Sequence, residues 1–272
     1  MESLRQLIDP PLNGPANMAR DEALLAGCDA SNARPALRFY TWSMPTISLG
    51  YFQDYAEYEA LPPPAGGLPV VRRTTGGGAI LHDLELTYSL TIPIDHPLIR
   101  GRPNRLYELA HRAVIAAISA SSRAGDSGVR MLGSDHAACD ASAQRGPFFC
   151  FARRHGLDVV VDDASEGVSK IAGSAQRRTQ GAILQHGSIM LNSRYSQQPV
   201  ATWSGIAGGI DFETAVSFLL PAFEDVLGMK SVRGEWDGGE IEAARAIEKK
   251  YAGDDWTRWA ETSKRRNVKK SK

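Results

Sequence analysis

The sequence predicts an α+β fold, because strand-like and helix-like patterns occupy separate parts of the chain. Alternating and β-branched runs cluster in the middle, whereas apolar residues at helical spacing dominate both ends. A regular alternation of strands and helices, which would indicate a parallel sheet, is not found. At 272 residues, the chain has the length of one large domain or of one domain with a small appendage.

The helical patterns share apolar residues spaced by three or four. Residues 17–27 form the first, with Asn17 as a candidate N-cap. Residues 104–121 form the second, which begins at the candidate cap Asn104. Two further apolar stripes occur in the last quarter of the chain. Pro221 lies in the first of these, and we expect it to kink or break that helix.

The predicted strands share β-branched or aromatic residues bounded by turn formers. They cover residues 37–42, 47–52, 69–72, 86–92, 157–161 and 182–191. Residues 54–67 are rich in proline and glycine, which predicts a surface loop. The polar residues 122–146 predict a long loop, and loops of this length often carry function.

Charge and apolar content exclude several classes of protein. Acidic and basic residues balance at 31 each, so no overall field favours nucleic acid or a membrane surface. There is no apolar run of about 18 residues, and the first residues lack the apolar stretch of a secretory signal. Three cysteines cannot all pair with one another. We therefore expect a cytoplasmic protein with reduced thiols that binds neither nucleic acid nor membranes.

Two segments about ninety residues apart contain the most specific chemistry. The first, residues 70–83, reads VVRRTTGGGAILHD. Its glycine triplet lets backbone amides approach a ligand that side chains would exclude. The triplet is not a P-loop, because no Lys-Ser or Lys-Thr pair follows it. It is not a dinucleotide fingerprint either, because the spaced third glycine and the following helix are missing.

The second segment, residues 170–191, begins with Lys170 and the small residues IAGSA, and Cys150 precedes it by twenty residues. Taken alone, Cys150 in PFFCF is typical of a small buried apolar residue, and Lys170 of a solvated surface lysine. A cationic neighbour would raise the thiolate fraction of the cysteine and so its nucleophilicity. His136 and Cys139 have an H-x-x-C spacing, but too few further ligands lie nearby for zinc, so no metal site is expected.

Several motifs in one order resemble the lipoate–protein ligase and octanoyltransferase family, which is related in fold to biotin–protein ligases. They are NMARDEALL, RFYTWSMPTISLGYFQ, RRTTGGGAILHD, ELTYS and KIAGSAQRR, and they extend over about residues 13–195. KYAGDDW near the end resembles the C-terminal segment of the family. The resemblance implies a β-rich mixed sheet with flanking helices and an acyl tunnel beneath the glycine loop.

The resemblance also implies how the domain divides. A catalytic domain would span residues 13–210, and residues 211–260 would be a C-terminal helical part of the same domain. Residues 261–272 form a basic tail, ETSKRRNVKKSK, which we expect to be disordered.

Within the family, the position of the cysteine is similar to that in octanoyltransferases that act through a thiol. The resemblance therefore implies that Cys150 is the nucleophile and that Lys170 stabilises its thiolate and the acyl carbonyl oxygen. The implied substrate-binding residues are Arg73, Gly76, Gly77, Gly78, His82, Gly173, Ser174, Ala175 and His186. For the two histidines, a purely structural role and a role in polarising the carbonyl or moving a proton both remain open. Adjacency of Cys150 and Lys170 is an assumption at this stage.

The implied reaction needs no cofactor or metal. Its donor would be octanoyl-acyl carrier protein. Its acceptor would be a lipoyl-accepting protein, such as the glycine cleavage H protein or the lipoyl domain of a 2-oxoacid dehydrogenase. One alternative is an ATP-dependent lipoate–protein ligase, in which Lys170 would bind the carboxylate and α-phosphate of an acyl-adenylate. A non-catalytic module that binds lipoyl domains is the other alternative.

Overall fold

The computed structural model describes residues 3–29, 34–102, 104–122, 127–133, 146–163 and 167–259. These residues form a mixed eight-stranded sheet, a three-stranded sheet and seven α-helices, which confirms the α+β prediction. The strands are β1 (Ser3–Ile8), β2 (Ala36–Tyr40), β3 (Thr46–Leu49), β4 (Val70–Arg72), β5 (Ile80–His82), β6 (Glu85–Pro93), β7 (Val129–Met131), β8 (Val159–Asp163), β9 (Gly167–Arg178), β10 (Ala182–Met190) and β11 (Lys230–Arg233). The helices are α1 (Gly14–Cys28), α2 (Tyr55–Glu59), α3 (Arg105–Ser121), α4 (Trp203–Ala207), α5 (Phe212–Leu227), α6 (Gly238–Ala252) and α7 (Asp254–Trp259).

The large sheet has the order β11-β1-β2-β6-β10-β9-β8-β7, and the small sheet has the order β4-β3-β5. Strand β1 pairs in parallel with β11 and β2. All the other neighbouring strands in this order, from β2 through β6, β10, β9 and β8 to β7, pair in antiparallel fashion. Helices α3 and α5 cover one face of the large sheet and form the main apolar core with it. Helix α1 lies against the opposite face, where α6 packs on it. The small sheet adjoins this second face through contacts between α1 and β4.

The first helix begins one turn earlier than the sequence predicts. Its N-cap is Asn13, whose side chain accepts a hydrogen bond from the backbone N–H of Ala16 at 2.9 Å. Asn17 is instead buried inside the helix, where its amide donates to the carbonyl oxygens of Leu12 and Thr41. Both asparagines have the chemistry of a cap, and long-range partners decide which one acts as the cap.

Two other local predictions differ from the structure. The predicted surface loop at 54–67 contains α2, whose first turn is capped by Asp54. Helix α5 is not broken at Pro221, since Leu219 and Phe223 on either side of it are buried in the core. That packing outweighs the roughly 3 kcal/mol cost of an internal proline. Lys170 lies on strand β9, which the sequence did not predict.

The C-terminal segment is not helical throughout, because β11 extends the large sheet by pairing with β1. Neither of these strands was expected from the sequence. Among the described helices, none is both long and apolar enough to cross a membrane. The predicted loop at 122–146 contains β7, but His136 and Cys139 lie outside the described residues, and so does the predicted tail at 261–272.

One buried histidine links α3 to the strands that carry the site. His111 Nδ1 bonds to the carbonyl oxygen of Leu157, and its Nε2 lies 2.7 Å from Ser174 Oγ. A carbonyl oxygen only accepts, so Nδ1 carries the hydrogen. In the neutral ring, Nε2 then accepts from the serine hydroxyl. Burial lowers the pKa of His111 from its ordinary value of 6.5 to about 4, although the bond to Leu157 acts in the opposite direction.

We expect the free energy of unfolding to fall as the pH drops from about 6.5 to about 4. Over this range the unfolded chain takes up a proton at His111 that the folded chain does not, at a cost of about 3 kcal/mol when complete. Urea unfolding at several pH values should show a smaller decrease for His111→Asn than for the wild type. Equal pH dependence in His111→Asn and the wild type would contradict this account.

Candidate active site

The structure holds Cys150 directly beside the glycine run. Cys150 starts a 3₁₀ turn (Cys150–Ala152), and its N–H donates to the carbonyl oxygen of Ala79 at 2.7 Å. The N–H of Ala79 in turn donates to the carbonyl oxygen of Phe148 at 2.9 Å. A Cβ added to Gly78 would lie only 3.0 Å from the backbone nitrogen of Cys150. This approach explains the glycine there, and it leaves a free, partly exposed thiol next to the loop.

Lys170 reaches the thiol from strand β9, although a long segment separates the two residues in sequence. Its Nζ lies 3.6 Å from Cys150 Sγ and 3.5 Å from the carbonyl oxygen of the same residue. The side chain is only 3% exposed and passes over the ring of Phe151. The sequence could only assume that Cys150 and Lys170 are adjacent; the structure brings them together.

A β-bulge turns Lys170 toward this face. Val159 pairs with Ala172, and the next residue, Val160, pairs with Lys170, so Ile171 has no partner across the β8–β9 ladder. Strict alternation would place Lys170 and Ala172 on the same, core-facing side. The extra residue places Lys170 instead on the side of Gly173. There a Cβ would lie 2.5 Å from Lys170 Cε, so glycine is required for the lysine to lie across the strand.

An acidic residue that the sequence did not single out completes this group. Asp158 Oδ1 lies 2.8 Å from Lys170 Nζ, and its Oδ2 accepts from the backbone N–H of His155 at 2.8 Å. Asp158 precedes an apolar strand, and nothing in its local pattern distinguishes it from a turn residue. Burial alone would lower the pKa of Lys170, but the negative charges of Cys150 and Asp158 outweigh this effect and raise it.

Arg73 fixes the shape of the glycine loop from inside the protein. Its Nη2 donates to the carbonyl oxygens of Gly76 and Gly78 at 2.8 and 2.7 Å. Its Nη1 donates to Ser48, and its Nε donates to Thr75 Oγ1. Burial lowers the pKa of Arg73 to about 10. Arg73 therefore holds the loop through its guanidinium rather than presenting that group to solvent.

Both predicted histidines have partners on each ring nitrogen. His82 Nδ1 bonds to Glu85 at 2.7 Å, its Nε2 lies 2.7 Å from Ser48 Oγ, and the ring stacks on Trp42. Burial lowers the pKa of His82, although Glu85 acts in the opposite direction. His186 bonds in the same manner to Asp21 at 3.0 Å and to Thr75 at 2.7 Å. Each histidine is thus connected to Arg73 through one hydroxyl group.

A small pocket lies beside these residues on the α1 face of the sheet. It is lined by Met18, Tyr40, Trp42, Ser48, Arg73, Ile80, His82, Thr87, Ala175, His186, Gly187 and Ser188. Ala175 and Gly173 are two residues apart on the same face of β9, so the pocket begins about 7 Å along the strand from the lysine. The largely apolar wall suits an apolar ligand.

Most of the residues predicted from the sequence meet in this region, but Ser174 does not. It lies on the opposite face of β9, where its hydroxyl is bonded to His111 and to Gln185 at 2.7 and 3.1 Å. The expected substrate contact of Ser174 is therefore replaced by a structural one. Gly77 has a φ of 93°, which favours glycine, whereas a Cβ on Gly76 would meet nothing within 4 Å. Among the described residues, no group of three or more histidine, cysteine or acidic side chains could hold a metal ion.

The chain matches one protein family over most of its length. The family described as the lipoyl protein ligase A/B catalytic domain matches residues 13–202. The chain belongs to this family. The octanoyltransferase LipM of Kyrpidia tusciae is 32% identical, over 88% of this chain and 93% of that protein. The octanoyltransferase LipM of Moorella thermoacetica is 33% identical, over 92% of this chain and 96% of that protein.

Solved structures share the fold of this lipoyl ligase family member at lower identity. The protein Ta0514 of T. acidophilum with bound lipoic acid has a TM-score of 0.72 at 23% identity, covering 95% of this chain and 99% of that chain. Lipoate-protein ligase A bound with ATP has a TM-score of 0.71 at 22% identity, with the same coverage. The mixed-sheet architecture of the ligase type expected from the sequence is therefore confirmed.

Proposed function

We propose that the protein transfers an octanoyl group, bound as a thioester, to the ε-amine of a lysine on a lipoyl-accepting protein, through a thioester at Cys150. The observation that supports this most directly is the free thiol held 3.6 Å from a buried ammonium group and beside the glycine run. Relatives named octanoyltransferase, 32–33% identical over about nine tenths of the chain, support the same reaction class.

In the first step, the thiolate of Cys150 attacks the carbonyl carbon of the donor thioester. A new carbon–sulfur bond forms at Cys150, the bond to the donor sulfur breaks, and the donor thiolate leaves and takes up a proton. Lys170 stabilises the attacking thiolate by its charge. The backbone N–H groups of the glycine loop, which Arg73 holds in shape, would support the oxyanion that develops on the carbonyl oxygen.

In the second step, the ε-amine of the acceptor lysine attacks the Cys150 thioester. A carbon–nitrogen bond forms, the carbon–sulfur bond breaks, and the proton lost by the amine restores the neutral enzyme thiol. The amide product is more stable than the thioester, so the transfer runs forward without a nucleotide. The pocket on the α1 face would hold the octanoyl chain during both steps.

Membership in a family of lipoyl-modifying enzymes supports a lipoyl-accepting protein as the partner. As donor we propose octanoyl-acyl carrier protein. As acceptor we propose the glycine cleavage H protein or a lipoyl domain of a 2-oxoacid dehydrogenase. The reaction needs no cofactor.

The energy source separates this proposal from an ATP-dependent ligase. We expect purified protein to octanoylate an acceptor lipoyl domain from octanoyl-acyl carrier protein in chelator-containing buffer without nucleotide. Octanoate without ATP should give no product, since a free carboxylate is not activated. Intact-mass analysis of the acceptor would record the added octanoyl group. Transfer that requires free lipoate or octanoate with ATP and magnesium, with matching release of pyrophosphate, would overturn the proposal in favour of a ligase.

A further inference from the structure

The proposed mechanism places a second amine beside the reactive thioester. Once Cys150 is acylated, the carbonyl carbon of the acyl group is bonded to the sulfur that lies 3.6 Å from Lys170 Nζ. The carbonyl carbon would thus be one bond away from an atom beside the amine, within reach of the close approach that attack requires. An unprotonated Lys170 would therefore compete with the lysine of the acceptor protein for the same carbonyl carbon.

That side reaction would inactivate the enzyme. The nitrogen of Lys170 would bond to the carbonyl carbon, the bond to Cys150 Sγ would break, and the proton released by the amine would go to the sulfur. The product would be an amide at Lys170 next to a free thiol. Because an amide does not return its acyl group to a thiol under these conditions, each such event would remove one enzyme molecule from turnover.

Acylation also removes part of what keeps Lys170 protonated. The groups beside its Nζ are Cys150 and the Phe151 ring from the 3₁₀ turn and Asp158 from the turn before β8. His111 of α3 is a further titratable group, near enough for its charge to act on Lys170. A thioester sulfur carries no charge, and burial holds His111 in its neutral form with a pKa of about 4. Among the described residues, Asp158 is then the anion that remains in contact with the ammonium.

The position of Asp158 suits it to stabilise the protonated form of Lys170. Asp158 Oδ1 is nearer to Nζ, at 2.8 Å, than the sulfur is, and the carboxylate itself is held by the N–H of His155. Both partners are buried, so their attraction is weakly screened. We propose that Asp158 keeps Lys170 protonated in the acyl-enzyme and so prevents transfer of the acyl group from Cys150 to Lys170. This inference rests on the proposed function and assigns Asp158 as a positioning and protecting residue.

The test uses the full chain and octanoyl-acyl carrier protein without an acceptor. In Asp158→Asn, the side chain can still accept from His155 N–H but no longer carries a charge. We expect the octanoyl group to appear first on Cys150, where hydroxylamine removes it, and then on Lys170, where hydroxylamine does not. Peptide mass analysis would locate it. Per thioester formed, the Lys170 amide should accumulate at least about tenfold faster than in the wild type, as expected on losing one close opposite charge.

Asp162→Asn is the matched control, since this carboxylate lies four residues away and pairs with Arg130 at the surface. It should form no more Lys170 amide than the wild type. Asp158→Glu restores the negative charge and should keep the Lys170 amide at the wild-type level. The double variant Asp158→Asn with Lys170→Met should form no adduct that resists hydroxylamine. If Asp158→Asn does not fold, Asp158→Ser removes the same charge and keeps an acceptor for His155.

The possible results distinguish failure of this inference from failure of the proposed function. A stable Cys150 thioester in the uncharged Asp158 variant, with no Lys170 amide above the wild-type level, would overturn this inference and leave the proposed function intact. If the wild type forms no hydroxylamine-sensitive adduct on Cys150, the proposed function fails and the inference fails with it.

Discussion

Replacing Cys150 with alanine is expected to lower octanoyl transfer by about 10⁴-fold or more, the order of loss seen when a covalent nucleophile is removed. Without the thiol, no acyl-enzyme can form, although the pocket and the Lys170–Asp158 pair remain. The acceptor lysine would then have to attack the donor thioester directly. Intact-mass analysis after mixing with octanoyl-acyl carrier protein should show one octanoyl adduct on the wild type and none on Cys150→Ala.

The chain provides a matched control for this experiment. Cys28 is also a free thiol, but it is packed among apolar residues of α1 and β10, and burial raises its pKa to about 11. It therefore remains a neutral thiol near pH 7, and Cys28→Ala should keep both the adduct and the rate. A Cys150→Ala variant that modifies the acceptor at the wild-type rate would rule out the thioester intermediate.

The largest effect on stability is expected at Arg38. This fully buried side chain donates to Asp9 Oδ2 at 2.6 Å, to Asp21 Oδ1 at 2.7 Å and to Asn17 Oδ1 at 2.8 Å. Arg38→Met would leave two buried carboxylates without their shared cation, and we expect it to lower the free energy of unfolding by about 3–5 kcal/mol. Denaturant unfolding at neutral pH, followed by circular dichroism, would measure the change.

Asp21 connects Arg38 to the candidate active site. Burial would raise the pKa of Asp21, but Arg38 and His186 outweigh burial and lower it. Asp21 in turn holds His186, which bonds to Thr75 at the start of the glycine loop. Arg38→Met should therefore also slow acyl transfer at temperatures where the variant is still folded.

The control for Arg38 is an exposed pair of the same kind. Arg130 lies 2.8 Å from Asp162, and both side chains are well exposed. Arg130→Met should change the free energy of unfolding by no more than about 1 kcal/mol, because water screens such pairs. Similar losses for Arg38→Met and Arg130→Met would show that the buried network does not have the stabilising role assigned to it.

The sequence was most informative where chemistry is local. The strand and helix patterns predicted the α+β class, and the order of motifs predicted the family. Cys150, Lys170 and the glycine triplet were selected because their order along the chain resembles that in the family, and because a thiol, an ammonium and a run without side chains together suit acyl-transfer chemistry. Their selection needed no knowledge of which faces the strands present.

Asp158 and Ser174 show why the same reasoning stopped short of the full site. Ser174 was selected because it neighbours Gly173 in a motif, yet adjacent residues of a strand point to opposite faces. Asp158 was not selected because an aspartate before an apolar strand resembles an ordinary turn residue. Its role depends on Lys170, which is twelve residues away in sequence and reaches it only through the bulge at Ile171.

The sequence by itself therefore determined the fold class and the family, and it selected Cys150 and Lys170 as candidate site residues. The tertiary structure decided which asparagine caps α1, which side of β9 carries the lysine, and that both histidines are held between a carboxylate and a hydroxyl group. The physical reason is the range of the interactions. Periodicity and side-chain chemistry can be recognised within a few neighbouring residues. A bulge, a buried ion network and the 2.8 Å contact between Asp158 and Lys170 depend on groups that only folding brings together.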